Sequence, residues 1–117
     1  MSNFLNIDTN KLINLSIDIW RLNEKISNID NLNEKDKEKI SISLDRLNNF
    51  IQDLNIETKS FSGEKYSEEI NLYELKAVEN TNINSLDRII KDTIEPAIII
   101  NGELIKQAKV IIYKFTS

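Results

Sequence analysis

Residues 98–105 read Ile-Ile-Ile-Asn-Gly-Glu-Leu-Ile. An Asn-Gly pair between two apolar runs is the strongest short-range signal for a β-hairpin, because both turn positions need a positive φ. The pair Asn101-Gly102 therefore predicts a tight turn between two antiparallel strands. We accordingly expect the C-terminal half of the chain to be a β module.

Further strand signals lie on the N-terminal and C-terminal sides of this hairpin. Alternating, β-branched segments predict strands at residues 58–61, 72–78, 89–94 and 110–113. In the second of these, Tyr73, Leu75 and Ala77 should share one face, since side chains alternate along a strand. Pro96 has no N–H to donate and should mark a strand edge or break.

Two helices with strong hydrophobic periodicity are predicted before the β module. The apolar residues of the first helix are spaced alternately by three and four, as in a heptad, and they are Leu12, Leu15, Ile19, Leu22, Ile26 and Ile29. Asp8 or Thr9 can cap its start. A second stripe of Ile13, Ile17 and Trp20 makes this helix apolar on two sides, so it needs two partners. One partner is the next helix, and the other is a second copy of the chain or the rest of the same monomer.

The second helix has the same spacing, in Ile40, Leu44, Leu47, Ile51 and Leu54, and Asn33 can cap it. Its short connection to the first helix predicts an antiparallel αα-hairpin. The predicted fold class is α+β: a helical hairpin at residues 1–55, which forms a four-helix bundle as a dimer, and a small, mostly antiparallel β domain at residues 56–117. The predicted dimerisation residues are Leu12, Leu15, Ile19, Trp20, Leu22, Ile26, Ile40, Leu44, Leu47 and Ile51.

Composition excludes several classes of function. Residues 1–55 carry seven basic and nine acidic side chains, and residues 56–117 carry eight and ten, so neither half has the basic excess that nucleic acids or anionic membranes attract. The chain has neither cysteine nor histidine, which removes thiolate metal sites and the commonest general base. We expect no catalytic residue, no metal and no cofactor. The N-terminus lacks the pattern of a signal peptide, which predicts a cytoplasmic location.

The C-terminal sequence resembles that of the GrpE family of nucleotide exchange factors. Residues 89–112 resemble its order of a strand, an aromatic-and-apolar strand, an Asn-Gly or Asn-Asp hairpin, a basic residue, an Ala and a last Val-rich strand. Two heptad-patterned helices before a β module also match the family's order of elements. The segment Gly63-Glu64-Lys65-Tyr66 is similar to the Gly-Glu-x-Phe that opens the family's β module. The chain departs from the pattern at Glu103, where the family often has an Arg that contacts the chaperone, and at Ala97-Ile98, where a Gly-aromatic pair is typical. Little chain precedes the first helix, so a shortened form is expected.

The resemblance implies a non-enzymatic homodimeric cochaperone. Such a factor binds the nucleotide-binding domain of an Hsp70-like (DnaK-like) ATPase and promotes ADP release by preferring its open form. The partner-binding candidates that the resemblance implies are Ile94, Asn101, Gly102, Glu103, Lys106 and Ile112. The competing interpretations are core packing for the two isoleucines, a solvated hairpin edge for Glu103 and Lys106, and turn formation for the Asn-Gly pair. The alternative function is an oligomeric adaptor or assembly protein that kept the scaffold without exchange activity.

Overall fold

A computed structural model of the protein describes residues 8–117. The chain divides into two compact units, with the boundary between Leu54 and Asn55. Two helices are followed by a mostly antiparallel β region of two sheets, so the predicted α+β class is confirmed. Within the described part of the chain, no helix has both the length and the apolar character needed to cross a bilayer. The expectation about a signal peptide concerns residues outside that part.

The first helix, α1, spans Thr9–Ser27. Its start is fixed by Asp8, whose backbone is extended and whose Oδ1 accepts a hydrogen bond from the Asn10 N–H at 3.0 Å. Such a cap satisfies one of the N–H groups that the first turn leaves without an intrahelical partner. The helix ends two residues before Ile29, so this last residue of the predicted heptad run lies outside the helix.

The second helix, α2, spans Glu34–Asp53 and begins as predicted after the cap Asn33, whose Oδ1 accepts from the Asp36 N–H at 2.8 Å. The two helices form the predicted hairpin. An amide pair joins them, because Asn23 Nδ2 donates to Asn48 Oδ1 at 2.9 Å and the reverse hydrogen bond measures 3.3 Å. These bonds fix the register of the two helices at one point along an otherwise apolar seam.

The β unit contains six strands and one short 3-10 helix at Asn84–Leu86. The strands are β1 at Ile56–Lys59, β2 at Tyr73–Thr81, β3 at Ile90–Glu95, β4 at Ala97–Ile100, β5 at Glu103–Lys106 and β6 at Ala108–Phe115. All the predicted strands are present, but their ends differ: the first lies two residues earlier than expected, while the second and last are longer. Pro96 separates β3 from β4, as its missing N–H predicts.

These strands form two three-stranded sheets. One has the order β1-β4-β5 and is antiparallel throughout; the other has the order β2-β6-β3, in which β6 is parallel to β2 and antiparallel to β3. A parallel pair needs a long connection. Here three intervening strands supply it, so the Asn-Gly hairpin belongs to one sheet while its flanking strands belong to the other.

A β-bulge in β2 changes which side chains share a face. Tyr73 lies opposite Ala108 and Leu75 opposite Val110, but the register then shifts, and Ala77 lies opposite Ile111. One inserted residue reverses the alternation that follows it. The prediction that Ala77 shares the face of Tyr73 and Leu75 is therefore wrong, and the next residue, Val78, takes that place.

The core of the β unit is built from both sheets and the loop between β1 and β2. Its buried residues are Phe61, Tyr73, Ile90, Ala97, Ala108, Val110 and Ile112. The rings of Phe61 and Tyr73 meet edge to face at 5.0 Å between centroids, a favourable aromatic geometry. Thr93 is the buried polar residue here, and its Oγ1 accepts from the Phe61 N–H at 3.0 Å. The buried Thr93 hydroxyl is therefore hydrogen-bonded, as buried polar groups usually are.

Candidate functional site

The Asn-Gly turn between β4 and β5 has the predicted conformation. Asn101 has φ 52° and Gly102 has φ 80°, so both turn residues are left-handed, as a tight hairpin requires. The Asn101 N–H also donates to the Asn55 carbonyl at 2.9 Å, which ties the turn to the beginning of the β unit. Both residues are exposed. Their evident structural role is to form the turn.

Glu103 is the first residue of β5 and lies opposite Ile100 across the hairpin. Its side chain is exposed and forms no ion pair within residues 8–117. The carboxylate is therefore accessible to solvent and to a partner. A partner that presents a cation to this position would gain a charge-assisted hydrogen bond.

Lys106, at the end of the same strand, is already paired. Its Nζ lies 3.1 Å from Glu95 Oε1, and Lys109 Nζ lies 3.5 Å from the same oxygen. Burial, the largest single effect, raises the pKa of Glu95, but the two ammonium groups outweigh it, and the net pKa of this carboxyl is lowered. The hairpin therefore presents one free carboxylate and one cation that is neutralised within the molecule.

The two apolar candidates occupy opposite environments. Ile94 lies on β3 beside Glu95 and is 41% exposed, similar to Ile105 on β5 at 44%. Ile112 lies on β6, is only 5% exposed and belongs to the core. The structure therefore places Ile112 in core packing, where it cannot offer a side chain to a partner without rearrangement. Of the six candidates, the hairpin residues and Ile94 are the ones whose side chains reach the surface at least in part.

The predicted dimerisation residues divide by exposure along the helical hairpin. Ile19, Leu44 and Ile51 are buried; the exposed members are Leu15, Leu22 and Leu47, and the half-buried ones are Leu12, Trp20, Ile26 and Ile40. An open, mainly apolar groove of about 330 Å³ lies between the helices, and five of the ten residues line it: Leu22, Ile26, Ile40, Leu44 and Leu47. Open apolar surface of this kind is typical of interaction sites.

Sequence reasoning did not find Glu95 and Lys109, which form a charged cluster with Lys106, or the contacts of Arg88, which lie elsewhere in the β unit. Glu95 and Lys109 come together only through the pairing of β3 with β6, which no local pattern shows. Arg88 has φ 63°, and its guanidinium lies 5.4 Å from the Tyr66 ring centroid and 3.6 Å from a Glu68 oxygen. The only local signal for it was the Asp87-Arg88 step before a strand, which is too common to carry a prediction.

No metal site is evident in the described part of the chain, where no three carboxylates cluster closely enough to hold an ion. Of the neighbouring carboxylates in the β unit, Glu68 is paired with Arg88, and Asp87 Oδ1 accepts a hydrogen bond from the Phe115 N–H at 2.8 Å. Comparison with known proteins identifies no relative: no family model matches the chain, and no curated protein is similar to it.

Proposed function

We propose that this protein is a GrpE-like nucleotide exchange factor, a non-enzymatic cochaperone that binds an Hsp70-like ATPase and promotes ADP release. The observation that carries the proposal is the element order. A helical hairpin precedes two small sheets, and the chain ends with the Asn-Gly hairpin and a long last strand. This is the order of elements that the sequence resemblance implies.

The proposed mechanism requires a surface and no reactive side chain. A factor that binds the open nucleotide cleft more tightly than the closed one shifts the ATPase toward the open form. A difference of about 3 kcal/mol in binding free energy would change the population ratio by roughly a hundredfold. ADP then leaves faster, because its contacts are complete only in the closed cleft.

The surface that we assign to this role surrounds the β4–β5 hairpin. Ile94 supplies an exposed apolar anchor, and Glu103 supplies a hydrated carboxylate. Interfaces commonly combine an apolar centre with a polar rim, and a few residues carry most of the binding energy. We expect Ile94 to be the more important of the two for affinity.

Dimerisation through the helical hairpin is the second part of the proposal. The groove between α1 and α2 is open and apolar, and its lining residues follow the heptad spacing of the sequence. A second hairpin packed there would bury these side chains, at about 25 cal/mol for each Å² of apolar surface removed from water. The resulting four-helix bundle would hold two β units in one molecule.

The direct test is the release of a fluorescent ADP analogue from a purified Hsp70-like ATPase, followed by stopped flow. We expect the protein to accelerate release, and Ile94→Asp to reduce the acceleration at least tenfold at subsaturating concentration, because a buried charge would replace the anchor. The matched control is Ile83→Asp, at an isoleucine that is 50% exposed and lies outside this surface. Unchanged release with every Hsp70-like ATPase tried would reject the exchange function.

One observation favours the alternative, an oligomeric adaptor without exchange activity. The hairpin offers a free carboxylate at Glu103, while Lys106 is neutralised by Glu95. A partner surface adapted to a basic hairpin would be repelled here. In that case the protein would form a stable complex with its partner, and the dissociation rate of ADP would stay the same.

A further inference from the structure

We infer that Glu95 is a positioning residue: its carboxylate, held between Lys106 and Lys109, fixes the direction in which the β4–β5 hairpin is presented. The inference about orientation stands on the structure alone. Its consequence for nucleotide exchange rests on the proposed function.

The three charged residues lie where the two sheets of the β unit join. Glu95 is the last residue of β3 and lies opposite Lys109 of β6, so these two belong to the sheet β2-β6-β3. Lys106 is the last residue of β5 and belongs to the other sheet. The Glu95–Lys109 contact of 3.5 Å therefore lies within one sheet, while the Glu95–Lys106 contact of 3.1 Å connects the two sheets.

The hairpin is also held at this junction by the chain and by the core, in which Ala97 of β4 is buried. The chain passes between the sheets twice, at Pro96 and at Gln107, and each passage is a single residue. β5 is an edge strand, paired only with β4 among the described residues. The buried start of β4 and the two single-residue passages set the general position of the hairpin, and the Glu95–Lys106 contact is the charged bridge between the sheets beside them.

The environment of Glu95 makes this bridge stronger than a surface ion pair. Its side chain is 19% exposed, and the oxygen that faces both ammonium groups has almost no contact with solvent. Surface ion pairs contribute little, because water and salt screen them. Partial burial reduces that screening, and the second lysine adds a further attraction to the same oxygen.

The pairing also changes the role of Lys106. An ammonium group that lies 3.1 Å from a shielded carboxylate is not a free cation for a partner. Lys106 therefore acts through Glu95, by holding the strand that carries Glu103. Leu104, on the same strand, packs partly against the core, so loss of the ion pair should loosen the hairpin without unfolding it.

The experiment is solution NMR of the full chain, with residual dipolar couplings and backbone relaxation measured for three variants and the unmodified protein. In Glu95→Gln, we expect the amides of the β4–β5 hairpin to change orientation relative to β2-β6-β3, and their order parameters to fall from about 0.85 toward 0.6. The charge-swapped double variant Glu95→Lys with Lys106→Glu keeps one acid and two bases in the cluster, and it should restore both values. A purely structural, space-filling role would not be rescued by this exchange of charges.

The matched control is Glu79→Gln, which removes the 2.7 Å ion pair between Glu79 and Lys91 within one sheet. This variant should leave the orientation and the order parameters of the β4–β5 hairpin unchanged. Unchanged couplings in Glu95→Gln, or an equal loss of order throughout the β unit, would overturn the positioning role.

The ADP-release assay separates this inference from the proposed function. If the unmodified protein accelerates release, Glu95→Gln should raise the concentration needed for half-maximal acceleration about tenfold and leave the maximal rate unchanged. If the hairpin reorients in Glu95→Gln while the unmodified protein shows no exchange activity, the positioning role stands and the exchange function is rejected. If the hairpin reorients in Glu95→Gln but the half-maximal concentration stays the same, the direction of the hairpin does not matter for nucleotide exchange.

Discussion

Backbone conformation at single residues decides how the β unit closes. Among residues 8–117, three non-glycine residues have a positive φ, and two of them, Asn55 and Asn101, are of the non-glycine type that tolerates it best. Arg88 is the exception, at φ 63°. Its N–H donates to the Tyr113 carbonyl at 2.9 Å, and its carbonyl accepts from the Tyr66 N–H at 2.8 Å. These two bonds offset the steric cost of the left-handed conformation.

Gly102 allows the steric cost of a left-handed backbone conformation to be measured. Its φ is +80°, and a Cβ added there would meet no atom within 4 Å. Gly102→Ala should therefore reduce the free energy of unfolding by about 1–2 kcal/mol through backbone strain alone. Urea denaturation measures the change, with Glu103→Ala at the next, regular strand position as the control, expected to stay within about 0.5 kcal/mol. Equal stability of the two variants would contradict the strained turn.

Glu95 makes the stability of the β unit depend on pH. Burial raises its pKa, but Lys106 and Lys109 lower it by more, so the folded value lies below the usual 4.5. A carboxyl with a depressed pKa contributes stability that is present above its unfolded pKa and is lost as pH falls through the folded pKa. Glu95→Gln should therefore be less stable than the unmodified protein at neutral pH, and the difference should shrink below pH 4.5. Urea unfolding at both pH values measures this, and a constant difference would show that the charge is not responsible.

At the scale of elements, local sequence signals were sufficient to predict the helices and the Asn-Gly hairpin. The caps Asp8 and Asn33 and the Asn-Gly turn are each read from a few neighbouring residues, and each is confirmed. The register of β2 was not predictable, because its bulge depends on pairing with β6, a strand that is distant in sequence. Phe61 was expected in a strand, but it lies in the following loop, where Thr93 accepts its N–H.

The exposed face of the helical hairpin carries a prediction about association. Leu22 is 47% exposed and lines the apolar groove between α1 and α2. Leu22→Lys should shift the protein from dimer to monomer in sedimentation velocity at tens of micromolar, because an ammonium group would be buried in the interface. Ile42→Lys, at an equally exposed position outside the groove, should remain dimeric. A monomeric unmodified protein at that concentration would reject the bundle.

At the scale of the whole molecule, the division into two units predicts independent folding of the second. Every residue of its core cluster lies between Phe61 and Ile112, and its turn is tied to Asn55 from within the same unit. A fragment of residues 55–117 should therefore give a dispersed NMR spectrum and unfold cooperatively, although a domain of this size has only marginal stability. A disordered fragment would show that the helices are required for folding.

Only part of the candidate surface could be predicted from the sequence, because the surface depends on how strands that are distant in sequence pair. Buried Ile112 follows the regular alternation of β6, but the alternation rule could not assign exposed Ile94, since bulges interrupt β3. The cluster around Glu95 depends on residues from three different strands. Such a combination exists only once the sheets are assembled.

The bulge in β2 has a consequence for the protein in a crowded cell. β2 is the longest strand, and in the described chain only one of its edges is paired. A long, regular and uncovered edge would recruit strands from other molecules and seed fibres. The extra residue at Lys76 breaks that edge into two short pieces and places a charge between them, so an incoming strand cannot continue past it. The irregularity that spoils simple alternation thereby protects the molecule against polymerising.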